Sequence, residues 1–164
     1  MPHPVDVTTP SDREIHVTRV FDAPRRLIWD CHTKPELVRR WLLGPDGWTM
    51  PVCEIDLRVG GRYRYVWRSE ADGGEFGFRG EYREIVSPER IVHTEWPDDG
   101  EGNEVGNAFC TLTLTEQGGR TTLAYGMQFP TRESRDQALQ SGMTDGMSTS
   151  YDRLERVIAE NKVA

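Results

Sequence analysis

His93 and Glu95, two residues capable of proton transfer, lie two positions apart in the segment IVHTEW. Side chains alternate along a strand, so both residues should point to the same side of a sheet. An imidazole titrates near neutral pH, and beside a carboxylate it can move a proton as a cyclase or isomerase requires. In an apolar pocket the pair would instead anchor a polar group of a ligand. The opposite side, with Val92, Thr94 and Trp96, is also apolar enough to face the interior, so the sequence leaves the orientation open.

Aromatic and methionine side chains form a second group of candidate functional residues. Buried Tyr and Trp need partners for their polar tips, and Met adapts to irregular contents. A plain hydrophobic core is the competing interpretation. Together with His93 and Glu95, we predict that the following residues line a ligand cavity: Trp41, Tyr65, Trp67, Phe78, Tyr82, Met127, Phe129, Met143, Gly146 and Met147.

The sequence lacks the residue patterns of a metal centre, a nucleophilic enzyme or a phosphate-binding site. His3, His16 and His32 have no metal-like spacing with one another or with any cysteine, so we predict no metal centre. The sequence contains neither a nucleophile elbow of the G-x-S-x-G type nor a phosphate-binding loop. We therefore predict no cofactor and assign no residue a catalytic role.

Composition limits the partners and the compartment. The 164 residues carry a net charge of −7, which argues against nucleic acid as the partner. No segment reaches the length of about 18 apolar residues that suggests a membrane span, and the start lacks the features of a signal peptide. Three cysteines without short spacing indicate reduced thiols. These features predict a cytoplasmic protein with a disordered tail over residues 1–13 and a single domain over residues 14–161.

The middle of the chain has the rhythm of an antiparallel sheet. In RYRYVWRS, Tyr63, Tyr65 and Trp67 alternate with arginines, which is the clearest period-two pattern in the sequence. Gly-containing turns separate the apolar runs, as in hairpins. We predict seven strands, and two short helices between the first and second of them. The predicted strands cover 14–21, 52–57, 62–69, 75–85, 91–96, 105–115 and 121–129.

The last segment is predicted to be one long helix from Thr131 to Asn161. It carries an apolar stripe at spacings of three and four, namely Leu139, Met143, Met147, Tyr151, Leu154 and Ile158. Gly142 and Gly146 lie in this segment, and each costs a helix about 1 kcal/mol relative to Ala. The missing side chains indicate either close packing or unfilled space. Strands in one block with helices at the ends predict an α+β fold in which the sheet curves around this helix.

Five segments together resemble one known family. They are RVFDAP (19–24), KPELVRRW (34–41), DLRVGGRYR (56–64), SPERIVHTE (87–95) and SGMTDGMSTSYDRLE (141–155). Their order and their span over residues 14–160 are similar to the family of activators of the heat-shock protein 90 ATPase, within the START-like superfamily of polyketide cyclases and lipid carriers. His32 and Leu42 depart from the commoner family pattern, where larger side chains are usual.

The resemblance implies a helix-grip fold with a cavity between the sheet and the C-terminal helix. It also implies a hydrophobic or aromatic small molecule as the ligand, without indicating one activity, because the superfamily has many. Binding without catalysis is our first hypothesis. The alternatives are a cyclase- or isomerase-like enzyme using His93 and Glu95, and a chaperone partner that activates a heat-shock protein 90 ATPase.

Overall fold

A computed structural model describes residues 4–43, 46–98 and 108–163 of the protein. These residues form an α+β fold with one antiparallel sheet and four helices, as the sequence predicts. The strands are β1 (Asp6–Thr8), β2 (Glu14–Phe21), β3 (Trp48–Ile55), β4 (Arg62–Ser69), β5 (Glu75–Val86), β6 (Arg90–Pro97), β7 (Ala108–Gln117) and β8 (Arg120–Gln128). The helices are α1 (Arg25–Thr33), α2 (Pro35–Trp41), α3 (Arg132–Gln140) and α4 (Met143–Val163).

The sheet follows the order β1-β2-β8-β7-β6-β5-β4-β3. Each strand from β3 to β7 pairs with the strand that follows it in sequence. Strand β2, near the start of the chain, pairs with β8, the last strand in sequence. The sheet has eight strands where seven were predicted. The extra strand is β1, where Val7 lies opposite Val17 of β2.

Strand β1 also corrects the prediction of a disordered tail over residues 1–13. Backbone hydrogen bonding to the edge of β2 orders a segment that has little apolar character of its own. Residues 1–3 of the predicted tail lie outside the described residues. None of the described helices is both long and apolar enough to cross a membrane.

The predicted single C-terminal helix is two helices. Helix α3 ends before Ser141, and Gly142 adopts a φ of +83°, in the left-handed region that glycine enters without steric cost. A new helix, α4, begins at Met143. The apolar stripe therefore crosses a break, with Leu139 on α3 and its other residues on α4. The sequence prediction was wrong here because Gly142 ends a helix where it was expected to be tolerated inside one.

Helix α4 is held across the sheet by polar and aromatic contacts to β2. The guanidinium of Arg19, which is 2% exposed, lies 2.8 Å from Asp152 and 3.3 Å from Glu155. The ring of Phe21 meets Tyr151 edge to face at 5.9 Å between centroids. These contacts place the buried side of α4 over the inner face of the sheet, where the main hydrophobic core lies.

Candidate functional site

The pairing of β6 places His93 and Glu95 on the inner face of the sheet. His93 lies opposite Tyr82 of β5 and Cys110 of β7, both of which belong to the main core. Thr94 points the other way, and its hydroxyl accepts a hydrogen bond from the backbone N–H of Glu81 at 3.0 Å. Of the two orientations that the sequence left open, the structure therefore places the His93 side inward.

Hydrogen bonds join His93, Glu95 and two tyrosines into one buried cluster. The hydroxyl of Tyr63 on β4 lies 3.0 Å from His93 Nδ1 and 3.0 Å from Glu95 Oε1. The hydroxyl of Tyr125 on β8 lies 3.0 Å from His93 Nε2 and also contacts the thiol of Cys110. We refer to Tyr63, His93, Glu95, Cys110 and Tyr125 as the polar cluster.

One assignment of hydrogens satisfies both ring nitrogens of His93. The Tyr125 hydroxyl donates to His93 Nε2, and the thiol of Cys110 lies beside the same hydroxyl. The N–H at His93 Nδ1 then faces the oxygen of Tyr63 and the backbone carbonyl of Thr94. The Tyr63 hydroxyl donates to the carboxyl of Glu95, where the chain of hydrogen bonds ends. Both ring nitrogens of His93 are thus occupied within the protein.

The two titratable groups of the predicted pair are shifted in opposite directions. Burial lowers the pKa of His93 to about 4, so the ring is neutral at pH 7. Burial raises the pKa of Glu95 to about 7, and the hydrogen bond from Tyr63 opposes this rise. Glu95 is therefore the group of the cluster that exchanges a proton near neutral pH. His93 holds Tyr63 and Tyr125 in place.

Replacing Tyr63 with Phe should raise the pKa of Glu95 above its value of about 7. The substitution removes the hydroxyl that favours the ionised carboxylate, while it keeps the ring. A ¹³C NMR titration of the Glu95 carboxyl measures the change. Tyr82→Phe is a suitable control, because it removes a hydroxyl from the neighbouring ring, 5.6 Å from Tyr63, with no hydrogen bond to Glu95 described. An equal or lower pKa in Tyr63→Phe would contradict the assignment.

Several side chains on the inner side of the domain are only partly buried. In a close-packed interior, groups that face the core lose nearly all their exposure. The residues that keep part of their surface accessible on this side are Tyr65, Phe78, Glu95, Tyr125, Leu139, Met143 and Met147.

The structure brings most of the predicted ligand-binding residues near the polar cluster. The ring of Tyr63 lies 4.9 Å from Tyr65 and 5.6 Å from Tyr82 between centroids. Phe78 lies opposite Tyr65 in the sheet. Met127 and Phe129 are buried in the same core, and Met143 and Met147 pack against it from α4. An added Cβ at Gly146 would meet no described atom within 4 Å.

Trp41 and Trp67 are placed differently from the rest of the predicted set. The indole N–H of Trp41 donates to the carbonyl of Cys31 at 2.8 Å, and its ring stacks on Tyr151. Trp67 donates to the carbonyl of Leu42 at 2.7 Å and belongs to a second core cluster beneath α2. Both side chains thus tie the helical segment 25–43 to the rest of the domain.

Sequence reasoning missed three members of the polar cluster, Tyr63, Cys110 and Tyr125. A usable signal exists for the tyrosines. Tyr63 lies two positions from Tyr65, and Tyr125 lies two positions from Met127, so each tyrosine shares a strand face with a residue of the predicted site. A buried tyrosine hydroxyl also needs a partner. Cys110 carried no comparable signal. The part of the chain that the structure describes contains no group of three His, Cys, Asp or Glu side chains suited to a metal ion.

The eight-stranded sheet and the long C-terminal helix define the class of protein, a START-like domain with the helix-grip fold. The family described as "Activator of Hsp90 ATPase homolog 1-like protein" matches residues 22–159, and the chain belongs to this family. The resemblance of the five sequence segments is thereby confirmed.

Solved bacterial structures share the fold over nearly the whole chain. A protein from Rhodobacter sphaeroides is 29% identical with a TM-score of 0.87, over 95% of this chain and 99% of its own. A protein from Mycobacterium smegmatis is 25% identical with a TM-score of 0.83, over 94% and 96%. An AHSA1-like protein from Aeromonas hydrophila, 18% identical with a TM-score of 0.68 over 87% and 93%, shows the fold alone. Comparison with curated proteins gave no match.

Proposed function

We propose that this domain binds a hydrophobic or aromatic small molecule between the inner face of the sheet and helices α3 and α4. The observation that carries the proposal is the partial exposure of side chains that face the core, such as Tyr65, Phe78 and Met147. The family's START-like fold commonly takes such ligands, which supports the same conclusion. Pockets of this kind combine an apolar lining with a few placed polar groups, and Glu95 supplies one here.

The proposed lining is suited to contact with a planar apolar molecule. Aromatic rings offer large rigid surfaces at low entropic cost, and the thioethers of Met143 and Met147 adjust to the shape of what they contact. Binding of N-phenyl-1-naphthylamine, a neutral dye that fluoresces in apolar surroundings, tests the proposal directly. Mapping the amide chemical shifts it perturbs should identify residues of β4, β5 and α4. Shifts confined to the outer face of the sheet would contradict the proposal.

Replacing Gly146 with Leu should weaken dye binding at least about tenfold, because the new side chain would occupy the space beside α4. The domain should remain folded, since an added Cβ meets no described atom within 4 Å and Leu is a better helix former than Gly. Ala159→Leu, on the exposed side of the same helix, is the matched control and should bind as the parent does. Unchanged binding in Gly146→Leu would mean that α4 does not border the ligand.

Catalysis by Glu95 is a second candidate function, which its pKa of about 7 favours, because a general acid or base works best near the operating pH. His93 would position the cluster and would not contact the substrate, since its two nitrogens are occupied. Exchange of acidic ligand protons for deuterium, abolished by Glu95→Gln, would support this role. The ATPase activator in the family description is a further alternative, tested by an ATPase-stimulation assay with the chaperone.

A further inference from the structure

Glu95 is a carboxyl group on the inner face that has no positively charged partner among the described residues. None of the described salt bridges includes it. Arg19, which lies on the inner side of β2, is engaged by Asp152 and Glu155 of α4. Carboxylates inside proteins are normally paired with a cation, because an isolated charge is costly to bury. The protein thus holds half of an ion pair at the place where the ligand is proposed to bind.

The hydrogen bonding of the polar cluster leaves Glu95 able to take a further donor. The chain from Tyr125 through His93 and Tyr63 ends on Oε1 of Glu95. No described residue donates to Oε2. The Glu95 side chain keeps part of its surface accessible. A ligand donor can therefore complete the network without displacing any member of it.

The surroundings of Glu95 favour a cation as that donor. The hydroxyl of Tyr63 lies 3.0 Å from the Glu95 carboxyl, the rings of Tyr65 and Tyr82 pack against that of Tyr63, and aromatic faces attract an ammonium group. The net charge of −7 also draws cations toward the protein.

We propose that the natural ligand is a hydrophobic or aromatic amine whose protonated nitrogen pairs with Glu95. This inference rests on the proposed function, since it identifies the chemical class of the molecule in the same space. The ligand's apolar body would contact Tyr65, Phe78 and the α4 methionines, while its ammonium group donates to the Glu95 carboxylate.

Amine affinity should rise with pH through the range in which Glu95 ionises. The titratable groups that face it from the neighbouring strands are Tyr63, Tyr65, Tyr82, His93, Cys110 and Tyr125. Burial raises the pKa of each of these tyrosines and of Cys110, and lowers that of His93 to about 4, so all stay neutral between pH 5.5 and 8. Tyr151, the titratable side chain of α4 in the core, also has a pKa raised by burial. With a pKa of about 7 for Glu95, the affinity gain over this range is about 30-fold.

The test compares 1-naphthylmethylamine with 1-naphthalenemethanol, which share the same ring system and differ in the charge of one group. Displacement of N-phenyl-1-naphthylamine measures both affinities. For the parent protein at pH 8, the amine should bind at least about tenfold more tightly than the alcohol, and the difference should vanish at pH 5.5. Glu95→Gln should remove the preference for the amine at pH 8, and its circular dichroism spectrum should match that of the parent, which shows that the variant is folded.

Glu84→Gln is the matched control, because Glu84 is an exposed residue of β5 paired with Arg90 at 3.3 Å. This variant should retain the amine preference. If the alcohol binds as tightly as the amine, or Glu95→Gln keeps the preference, the inference is overturned while the proposed function stands. If neither probe nor the dye binds the parent protein, both fail.

Discussion

Alanine in place of Gly80 should destabilise the domain by about 3 kcal/mol, the upper part of the range for overpacked interiors. A Cβ at this position of β5 would lie 1.8 Å from the carbonyl oxygen of Thr94 and 2.6 Å from Cε1 of Tyr63. The first of these atoms is backbone in the neighbouring strand, so relief requires a shift of β6 itself. Urea denaturation monitored by circular dichroism measures the change.

The same substitution should disturb the polar cluster, because the Tyr63 ring rests against Gly80. Displacement of the ring would break the hydrogen bond to Glu95 and raise the pKa of that carboxyl. Gly146→Ala is the matched control, since its Cβ meets no described atom within 4 Å; it should stabilise α4 by about 1 kcal/mol through helix propensity. A Gly80→Ala variant as stable as the parent would show that β5 and β6 are not packed as described.

Replacing Glu95 with Gln should make the stability of the domain depend differently on pH. The pKa of Glu95 is raised from 4.5 to about 7 on folding, so the folded state binds its proton more tightly than the unfolded chain. The resulting stabilisation is complete below pH 4.5 and is lost as the pH rises through about 7. Relative to the parent, Glu95→Gln should therefore gain about 2–3 kcal/mol between pH 4.5 and pH 8, a value reduced to allow for the partial exposure of the group.

Urea titrations at several pH values between 4.5 and 8 measure this difference. Burial lowers the pKa of His93 and of His32 to about 4, so both contribute stability that is lost as the pH falls from 6.5 toward 4. Those contributions are present in parent and variant alike and cancel when the two are subtracted. Glu84→Gln controls for the change in net charge. Parallel stability curves for the parent and Glu95→Gln would contradict the raised pKa.

The Gly80→Ala and Glu95→Gln predictions both concern the polar cluster, the first through its packing and the second through its charge. Gly80 has no side chain, so the Tyr63 ring can lie against β5, and the Tyr63 hydroxyl then connects His93 to Glu95 on β6. A carboxyl held in this way is pre-organised, because its orientation does not have to be selected when a ligand arrives. The polar cluster thus links the packing of the sheet to the chemistry of the proposed binding space.

The sequence by itself determined the fold class and the relative orientation of neighbouring side chains. Alternation in RYRYVWRS placed Tyr63, Tyr65 and Trp67 on one face, and spacing put His93 and Glu95 together, because period-two geometry is a local property of a strand. Glycine-containing turns also marked most strand boundaries, but β3 covers Trp48–Ile55 where residues 52–57 were predicted. The strand β1 escaped prediction because its order depends on pairing with β2, a contact between distant residues.

Only the tertiary structure decided which face of β6 is the inner one. Val92 and Trp96 are as apolar as an inner face requires, so local pattern could not choose between them and His93 with Glu95. The choice follows from where α4 docks, which Arg19 and Phe21 fix across more than 100 residues of chain. The break at Gly142 was also undecided, since a glycine weakens a helix by only about 1 kcal/mol and long-range packing selects its conformation. Tyr125 and His93 are 32 residues apart in sequence, and the pairing of strands in the sheet brings them together. No sequence periodicity predicts that contact.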